Sequence, residues 1–415
     1  MNGRKGRIVT GSLGLLAVAT VAAVGAGGPD ASKAASREQS TQLISRTPAG
    51  DVPNGPSTHA VISNDKRYAR AIAYESEASD LVRNDTNGFK DVFAVRRAGR
   101  IDNKGSVWTA GRTVLISRGR GGKPANGASF SPAIDGGFHH AASCVAFLSE
   151  ASNLVGGDTN GKVDAFVARL KGGGVRRVSR PGGRQSSKDT TAVAVSGDCK
   201  LVAFVNGGQV FVSKRGGRAK RVGPAGAADP AFSTGLRNDL VFGAARGVYL
   251  ARGGTGRVRL VAPGGSNPAF NDIKRQVVAY EKTVNGRPQI AYKDLGKRER
   301  IISSRKGEMG NGGSRNPVIG NAGYYVTFES DASNLSVNSL GRQGDDNEQP
   351  DAYLFTDVRD LTLVQSVVEK AKPVPGGGRN PSMSFYANYI VFDSPTPLDR
   401  TGGGHPVYMR YLGPI

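Results

Sequence analysis

Three short patterns recur seven times in fixed order, a fourth recurs six times, and one stray copy of the fourth stands near the N-terminus; together they predict an all-β chain. The expected architecture is a seven-bladed β-propeller of four-stranded antiparallel blades, closed by its N-terminal strand, as a single domain over residues 41–415. Composition agrees, because the 415 residues include 59 Gly and few apolar runs with helical spacing.

The first pattern is a small apolar stretch, usually opened by Pro: THAVIS, SPAID, TAVAVS, DPAFS, NPAFN, NPVIG and NPSMS. The second ends in an aromatic residue, at Tyr74, Phe147, Phe204, Phe242, Tyr280, Phe328 and Phe392. The third alternates apolar and polar positions: DVFAVRR, DAFVARL, QVFVSKR, GVYLARG, QIAYKDL, DAYLFTD and PVYMRYL. Alternation over four to six residues between Gly, Asn and Asp is the signature of a half-buried strand. The fourth pattern reads RTVLISR, VRRVSR, AKRVG, VRLVAP, RERIISS and LTLVQS. Its seventh copy is TQLISR at 41–46, so the chain starts with an outer strand and ends with an inner group of three. Residues 41–46 are therefore expected to pair with the strand near 406–412, with Leu43 and Ile44 against that blade's core; such closure removes an exposed sheet edge.

The copies VTFESDASNL at 326–335 and SNDKRYARAIAYESEASDL at 63–81 resemble the TolB-type, WD-repeat-like propeller repeats of exported bacterial proteins. The resemblance covers essentially all of 41–415, and repeats three to five depart from it most. It implies the propeller fold and, since that family is largely built of scaffolds and binding modules, a binding role. The chain is read as lacking the second domain that accompanies the propeller of TolB, so the partners of TolB are not expected here.

Arg4, Lys5 and Arg7 precede an apolar run from Ile8 to about Ala26, closed by the small residues Ala23, Gly25 and Ala26. This order predicts a secretory signal peptide over 1–26. A small, polar, disordered lead-in is expected over 27–40. No Cys follows the apolar run, and no later stretch offers the ~20 apolar residues of a spanning helix. The expectation is a secreted or extracytoplasmic monomer without a membrane span. In such a compartment the two cysteines, Cys144 and Cys199, suggest a disulfide, with two free thiols as the alternative if adjacent blades hold them too far apart.

Groups for catalysis are few. The histidines are His59, His139, His140 and His405, and the pair His139–His140 falls in a first-to-second strand turn that could serve as a weak metal site or simply be exposed. No Gly-x-Ser-x-Gly elbow occurs, and Trp108 is the single tryptophan, too few for an aromatic sugar platform. An enzyme is thus the weaker expectation. Its form would be an extracellular glycan hydrolase or lyase with paired carboxylates at the central channel.

The formal net charge is +22, which favours polyanionic partners. Basic residues gather in Gly-rich connections from the fourth strand of one blade to the first of the next: Arg118, Arg120 and Lys123; Arg180, Arg184 and Lys188; Arg305, Lys306 and Arg315. Backbone N–H groups and Arg or Lys side chains can cradle phosphate or sulfate oxygens. Solvated turn chemistry is the alternative. The second-to-third strand loops are long only in blades one, two, six and seven, which are contiguous in a closed ring. One half of one face is thereby built up, and it is the expected binding surface for a polyanion or an envelope protein.

The stretch LVRNDTNGFKDV is echoed by LVGGDTNGKVDA and, with an insertion, by DDNEQPDA. Asp85, Asn87 and Asp91 thus share their spacing with Asp158, Asn160 and Asp164, and with Asp345, Asn347 and Asp351. Alternate Asp and Asn oxygens around a Gly turn can serve a hard cation such as Ca²⁺. Each copy is incomplete, however, since Arg83 and Gly156 replace the first acid and Glu348 replaces the Gly. The favoured expectation is a hairpin turn on the solvated surface, needing no cofactor, with weak calcium binding as the sharper alternative.

Overall fold

Alternating apolar positions form strands here because each strand buries one face against the next blade. The computed structural model describes residues 40–66, 68–99, 107–171, 174–214, 216–235, 237–335, 345, 347–357, 361–365, 374–398 and 404–413. The expected signal peptide and all but the last residue of the expected lead-in lie outside them.

Seven four-stranded antiparallel sheets follow one another along the chain. Blade 1 is Ser57–Ile62, Ala71–Ser76, Asp91–Arg97 and Ala110–Leu115. Blade 2 is Ser129–Ile134, Cys144–Ser149, Asp164–Arg169 and Arg176–Arg177. Blade 3 is Thr190–Val195, Leu201–Asn206, Gln209–Lys214 and Lys220–Val222. Blade 4 is Ala228–Phe232, Leu240–Ala244, Gly247–Ala251 and Val258–Pro263. Blade 5 is Gly265–Asn271, Val277–Val284, Arg287–Asp294 and Arg300–Ile301. Blade 6 is Ser314–Gly320, Tyr325–Ser330, Asp351–Thr356 and Leu361–Val364. Blade 7 takes Arg379–Met383, Tyr389–Asp393 and Val407–Tyr411 from the C-terminus and Thr41–Leu43 from the N-terminus. A small ribbon, Ser304–Arg305 with Glu308–Met309, stands in the connection from blade 5 to blade 6; its strands are too short for the sequence to announce.

Closure follows the expected register, with Thr41 opposite Arg410, Gln42 opposite Met409 and Leu43 opposite Tyr408. The Ile44 N–H donates to the Val407 carbonyl at 2.8 Å, and the Val407 N–H donates to Ser45 Oγ at 2.8 Å. Ile44 is fully buried with Tyr389, Val391 and Met409 of blade 7 and Ile72 and Tyr74 of blade 1. Leu43 packs on the other side, near Phe392 and Tyr408.

The aromatic residue ending each second strand explains the core. In blade 1, Tyr74 stands opposite Phe93, and the rings stack at 5.9 Å. Phe147 and Phe166, Phe204 and Phe211, Phe242 and Tyr249, and Phe328 and Tyr353 repeat the pair. Such cross-strand aromatic pairs contribute roughly 0.2–1 kcal/mol each relative to an Ala–Ala pair. The apolar layers lie between consecutive blades, so each blade is stable only against its neighbours.

Polar ties fix those neighbours. Every first strand carries an irregularity in its pairing with the second. In six blades a left-handed residue sits there: His59, Ser131, Asp229, Asn267, Asn316 and Asn380. The backbone turned outward by this bulge meets a carboxylate of the preceding blade. His59 N–H donates to Asp393 at 3.1 Å, Ser131 N–H to Glu75 at 2.7 Å, Asn316 N–H to Glu281 at 2.9 Å and Asn380 N–H to Glu329 at 2.9 Å. Cys144 and Cys199 form a disulfide between blades 2 and 3, with Cα atoms 6.3 Å apart. The 55-residue separation corresponds to about 4 kcal/mol of chain-entropy stabilisation. Among the described residues, no helix is long and apolar enough to cross a membrane.

Candidate functional site

Hydrogen bonds join the second-to-third loops to the fourth-to-first connections, placing both on one face. In blade 2 the Asn126 N–H donates to Asn153 Oδ1, its amide donates to Ser152 Oγ, and its Oδ1 accepts the Ser152 N–H at 2.9 Å. Asn54 clasps Ser79 and Asp80 in blade 1, and Asn311 clasps Ser333 and Asn334 in blade 6. The next residue must be Gly, since a Cβ on Gly55 would lie 2.8 Å from the Ala78 nitrogen and one on Gly312 would lie 2.4 Å from the Asp331 carbonyl carbon. Below each clasp a serine pair closes the strand ends: Ser57 with Ser76, Ser129 with Ser149, and Ser314 with Ser330. The motif behind the family resemblance is therefore architectural. Long second-to-third loops occur in blades 1, 2, 6 and 7, whereas blades 3, 4 and 5 have two-residue turns.

The Asp/Asn loops lie on this face, but their acids are not solvated as the sequence suggested. Asp85, Asp91, Asp164, Asp345 and Asp351 are buried, because each loop folds beneath the connection to the next blade. Asp91 accepts the Ser117 hydroxyl at 2.5 Å and the Asn87 amide at 2.7 Å, while that amide also donates to the Ala125 carbonyl. Blade 2 repeats the arrangement with Ser179, Asn160 and the Ser186 carbonyl around Asp164. In blade 6 the Asn347 amide donates to the Val374 carbonyl at 2.8 Å, and Tyr353 Oη donates to Asp345 at 3.3 Å. All three Asn side chains thus tie a hairpin to the following blade.

The copies differ electrostatically. In blade 2, Arg177 Nη1 lies 2.8 Å from Asp158 and 3.4 Å from Asp164, occupying the place between the two acids. Arg177 stands opposite Phe166; the matching residue in blade 1, opposite Phe93, is Leu115. Burial, reinforced by the nearby Asp91 charge, pushes the Asp85 carboxyl up to about 6, and burial also raises Asp91. Burial raises Asp158 too, against the opposing charge of Arg177.

Of the basic candidates, Arg118, Arg120, Lys123, Arg180, Arg184, Lys188 and Lys306 are exposed, and Arg305 and Arg315 are half-buried. Arg315 is ion-paired to Asp331 at 2.9 Å, and Arg180 donates to the Gly183 carbonyl at 2.8 Å. Arg118 and Arg120 come together on one groove between blades 1 and 2. The other basic candidates line no part of it.

At the inner strand ends, Glu75, Glu281, Glu329 and Asp393 form the inter-blade carboxylates, a feature sequence reading missed because their partners are backbone amides. His59 Nδ1 lies 3.1 Å from Glu75 and 3.3 Å from Thr58 Oγ1. One ring nitrogen makes both contacts, so the three groups are not a relay from hydroxyl through imidazole to carboxylate. The Glu75 hydrogen bond raises the imidazole pKa. Burial opposes ionisation of Glu75, yet His59, the Ser131 N–H and Lys90 together hold its carboxyl down at about 2. On the opposite face, His139 and His140 are exposed, with Phe138 edge-on to His139 and 5.5 Å from Phe385. Among the described residues, Asp135, Cys144 and Cys199 converge as metal ligands would, but the two sulfurs are bonded to each other.

No family model matches the chain, and no curated protein does. Among solved structures, an oligogalacturonate lyase in complex with manganese aligns at TM-score 0.49 and 10% identity over 90% of this chain and 96% of its own. The β-propeller domain of the Trilobed protease from Pyrococcus furiosus aligns at 0.48 and 10% over 85% and 93%. A protein assigned as TolB from Agrobacterium tumefaciens aligns at 0.37 and 14% over 57% and 93%. These are propeller neighbours, enzymes and scaffold alike, and at these scores the fold rests on the seven sheets themselves.

Proposed function

We propose that the protein is an exported, non-catalytic propeller acting as a monomer, which holds an anionic macromolecule, polyanion or envelope protein, on its loop-rich face. The observation that carries this reading is the partition of charge. Among the described residues, ten acidic side chains are buried against two basic ones, Arg97 and Arg410. The buried acids are spent on hydrogen bonds and ion pairs within blades, as at Asp65, Asp135 and Asp239, and between them, as at Glu75 and Asp393, while Arg118, Arg120, Lys123, Arg184, Lys188 and Lys306 stand exposed on the fourth-to-first connections. The disulfide supports an oxidising compartment.

Charge reversal of Arg184, Lys188 and Lys306 to Glu tests the reading. Retention on a sulfated-polysaccharide matrix should weaken, and the slope of log affinity against log salt should fall by roughly one for each sulfate that is no longer neutralised. Unchanged retention would overturn it.

A further inference from the structure

The outer rim between blades 1 and 2 holds a groove of about 790 Å³, large enough for a specific ligand. Its apolar floor includes Val114, Ile116, Leu154, Leu170 and Val175. Its rim carries Arg96, Arg118, Arg120, Arg169 and Lys171, and no Asp or Glu lines it. All five cations are exposed, and among the described residues none is ion-paired. In a protein that pairs Arg70, Arg177, Arg252 and Arg275 with acids, five such cations around one apolar strip are a local excess that an anionic occupant would complement.

The sheet edges favour an extended chain as that occupant. One wall is the outermost strand of blade 1, Ala110–Leu115. On the other side, the fourth strand of blade 2 pairs only with Phe166 and Val167, although the third strand runs on to Arg169. By the same antiparallel register Val175 and Gly174 lie opposite Ala168 and Arg169, so the open edge is the outer side of Ala110–Leu115, the last strand of its sheet, and an added strand can use it. Six residues of strand span roughly 20 Å, and successive side chains of an extended peptide point to opposite sides. A sequence alternating acidic and aliphatic residues would set its aliphatic side on the floor and its carboxylates toward the Arg rim. A sulfated glycan would leave that floor unused.

We propose that this groove binds an extended acidic segment of a partner protein in which Asp or Glu alternates with aliphatic residues. The inference rests on the binding role proposed above and gives it a partner chemistry.

The test uses the full chain and a labelled eight-residue peptide of alternating Glu and Val, read by fluorescence anisotropy. Saturable binding is expected, and Arg96→Glu with Arg169→Glu should weaken it at least tenfold while leaving retention on the sulfated matrix unchanged. Arg184→Glu with Lys188→Glu should do the reverse, so the groove and the loop reading fail separately. Both pairs are exposed, and matching melting curves show that the variants fold. No binding, equal binding to the groove variant, or equal binding of a Glu–Ser peptide would overturn the proposal. So would phosphatidylglycerol vesicles that bind through these two arginines while the peptide does not.

Discussion

Ile44→Ala tests how far ring closure holds the molecule together. The side chain is fully buried, between Tyr389, Val391 and Met409 on one side and Ile72 and Tyr74 on the other. Truncation removes this apolar packing and leaves a cavity lined by both blades, which costs about 3 kcal/mol. Unfolding entropy of about 2.1 cal/mol/K per residue gives on the order of 0.8 kcal/mol per kelvin for the propeller, so the melting temperature should fall by about 4 °C. Leu43→Ala, half-buried on the outer side, should cost about 1 kcal/mol and move it little more than a degree. Differential scanning calorimetry reads both. If blade 7 closed without its N-terminal strand, Ile44→Ala would melt with the wild type, and that result would refute the reasoning.

Asn126→Ala keeps the backbone N–H bond to Asn153 but removes the side chain's three, to Ser152 Oγ and from the Ser152 and Asn153 N–H groups, and should cost about 1–3 kcal/mol, with the Ser152–Asn153 turn losing hydrogen-exchange protection first; uniform loss of protection would contradict the local role. Asp135 is buried, and that burial raises its carboxyl to about 6. Because the folded pKa lies above the ordinary 3.8, Asp135 favours folding below about pH 4, and this advantage is lost as pH rises through 6. A shift near two units is on the order of 3 kcal/mol, so urea melts of Asp135→Asn should show a shallower decline than wild type between pH 4 and 7. Millimolar Ca²⁺ should leave the melting temperature unchanged if the Asp/Asn loops act as turns; a rise abolished by Asp85→Ala would show that blade 1, where no arginine stands between the acids, takes the ion.

The strand pattern, blade count and closing strand were legible because alternation and repetition are properties of the chain alone. The Cys144–Cys199 bond was expected from an even pair in an exported chain, but only the structure shows that adjacent blades bring the two Cα atoms to 6.3 Å. The ties were not legible. Glu75 and Glu281 look like surface residues at strand ends, since nothing local shows that a backbone N–H from the next blade will meet them. The same holds for Asp91 and Asp164, whose serine partners lie 26 and 15 residues away. A sequence shows which residues can accept hydrogen bonds, but burial is decided by neighbours that only the closed ring supplies. The groove was half legible: Arg118 and Arg120 stood out, but Arg96 and Arg169 belong to strands whose outer ends needed the register to be placed.

The tie residues also constrain where function can sit. A carboxylate that accepts a neighbouring blade's N–H cannot be redirected to a ligand without loosening that interface, and truncating one partner of a buried pair costs about 1–3 kcal/mol. Residues such as Glu329 and Asp393 are thus held by stability, as are Asn126 and Ser152. What remains adjustable is the length of the second-to-third loops and the charge of the connections beside them. Blades 3, 4 and 5 keep two-residue turns there, while blades 1, 2, 6 and 7 extend. The rim groove adjoins two of the extended blades, and two of its cations, Arg118 and Arg120, come from the connection that leads into blade 2. Built-up loops and local cation excess therefore coincide between blades 1 and 2, where a ligand's contacts can change without breaking a tie.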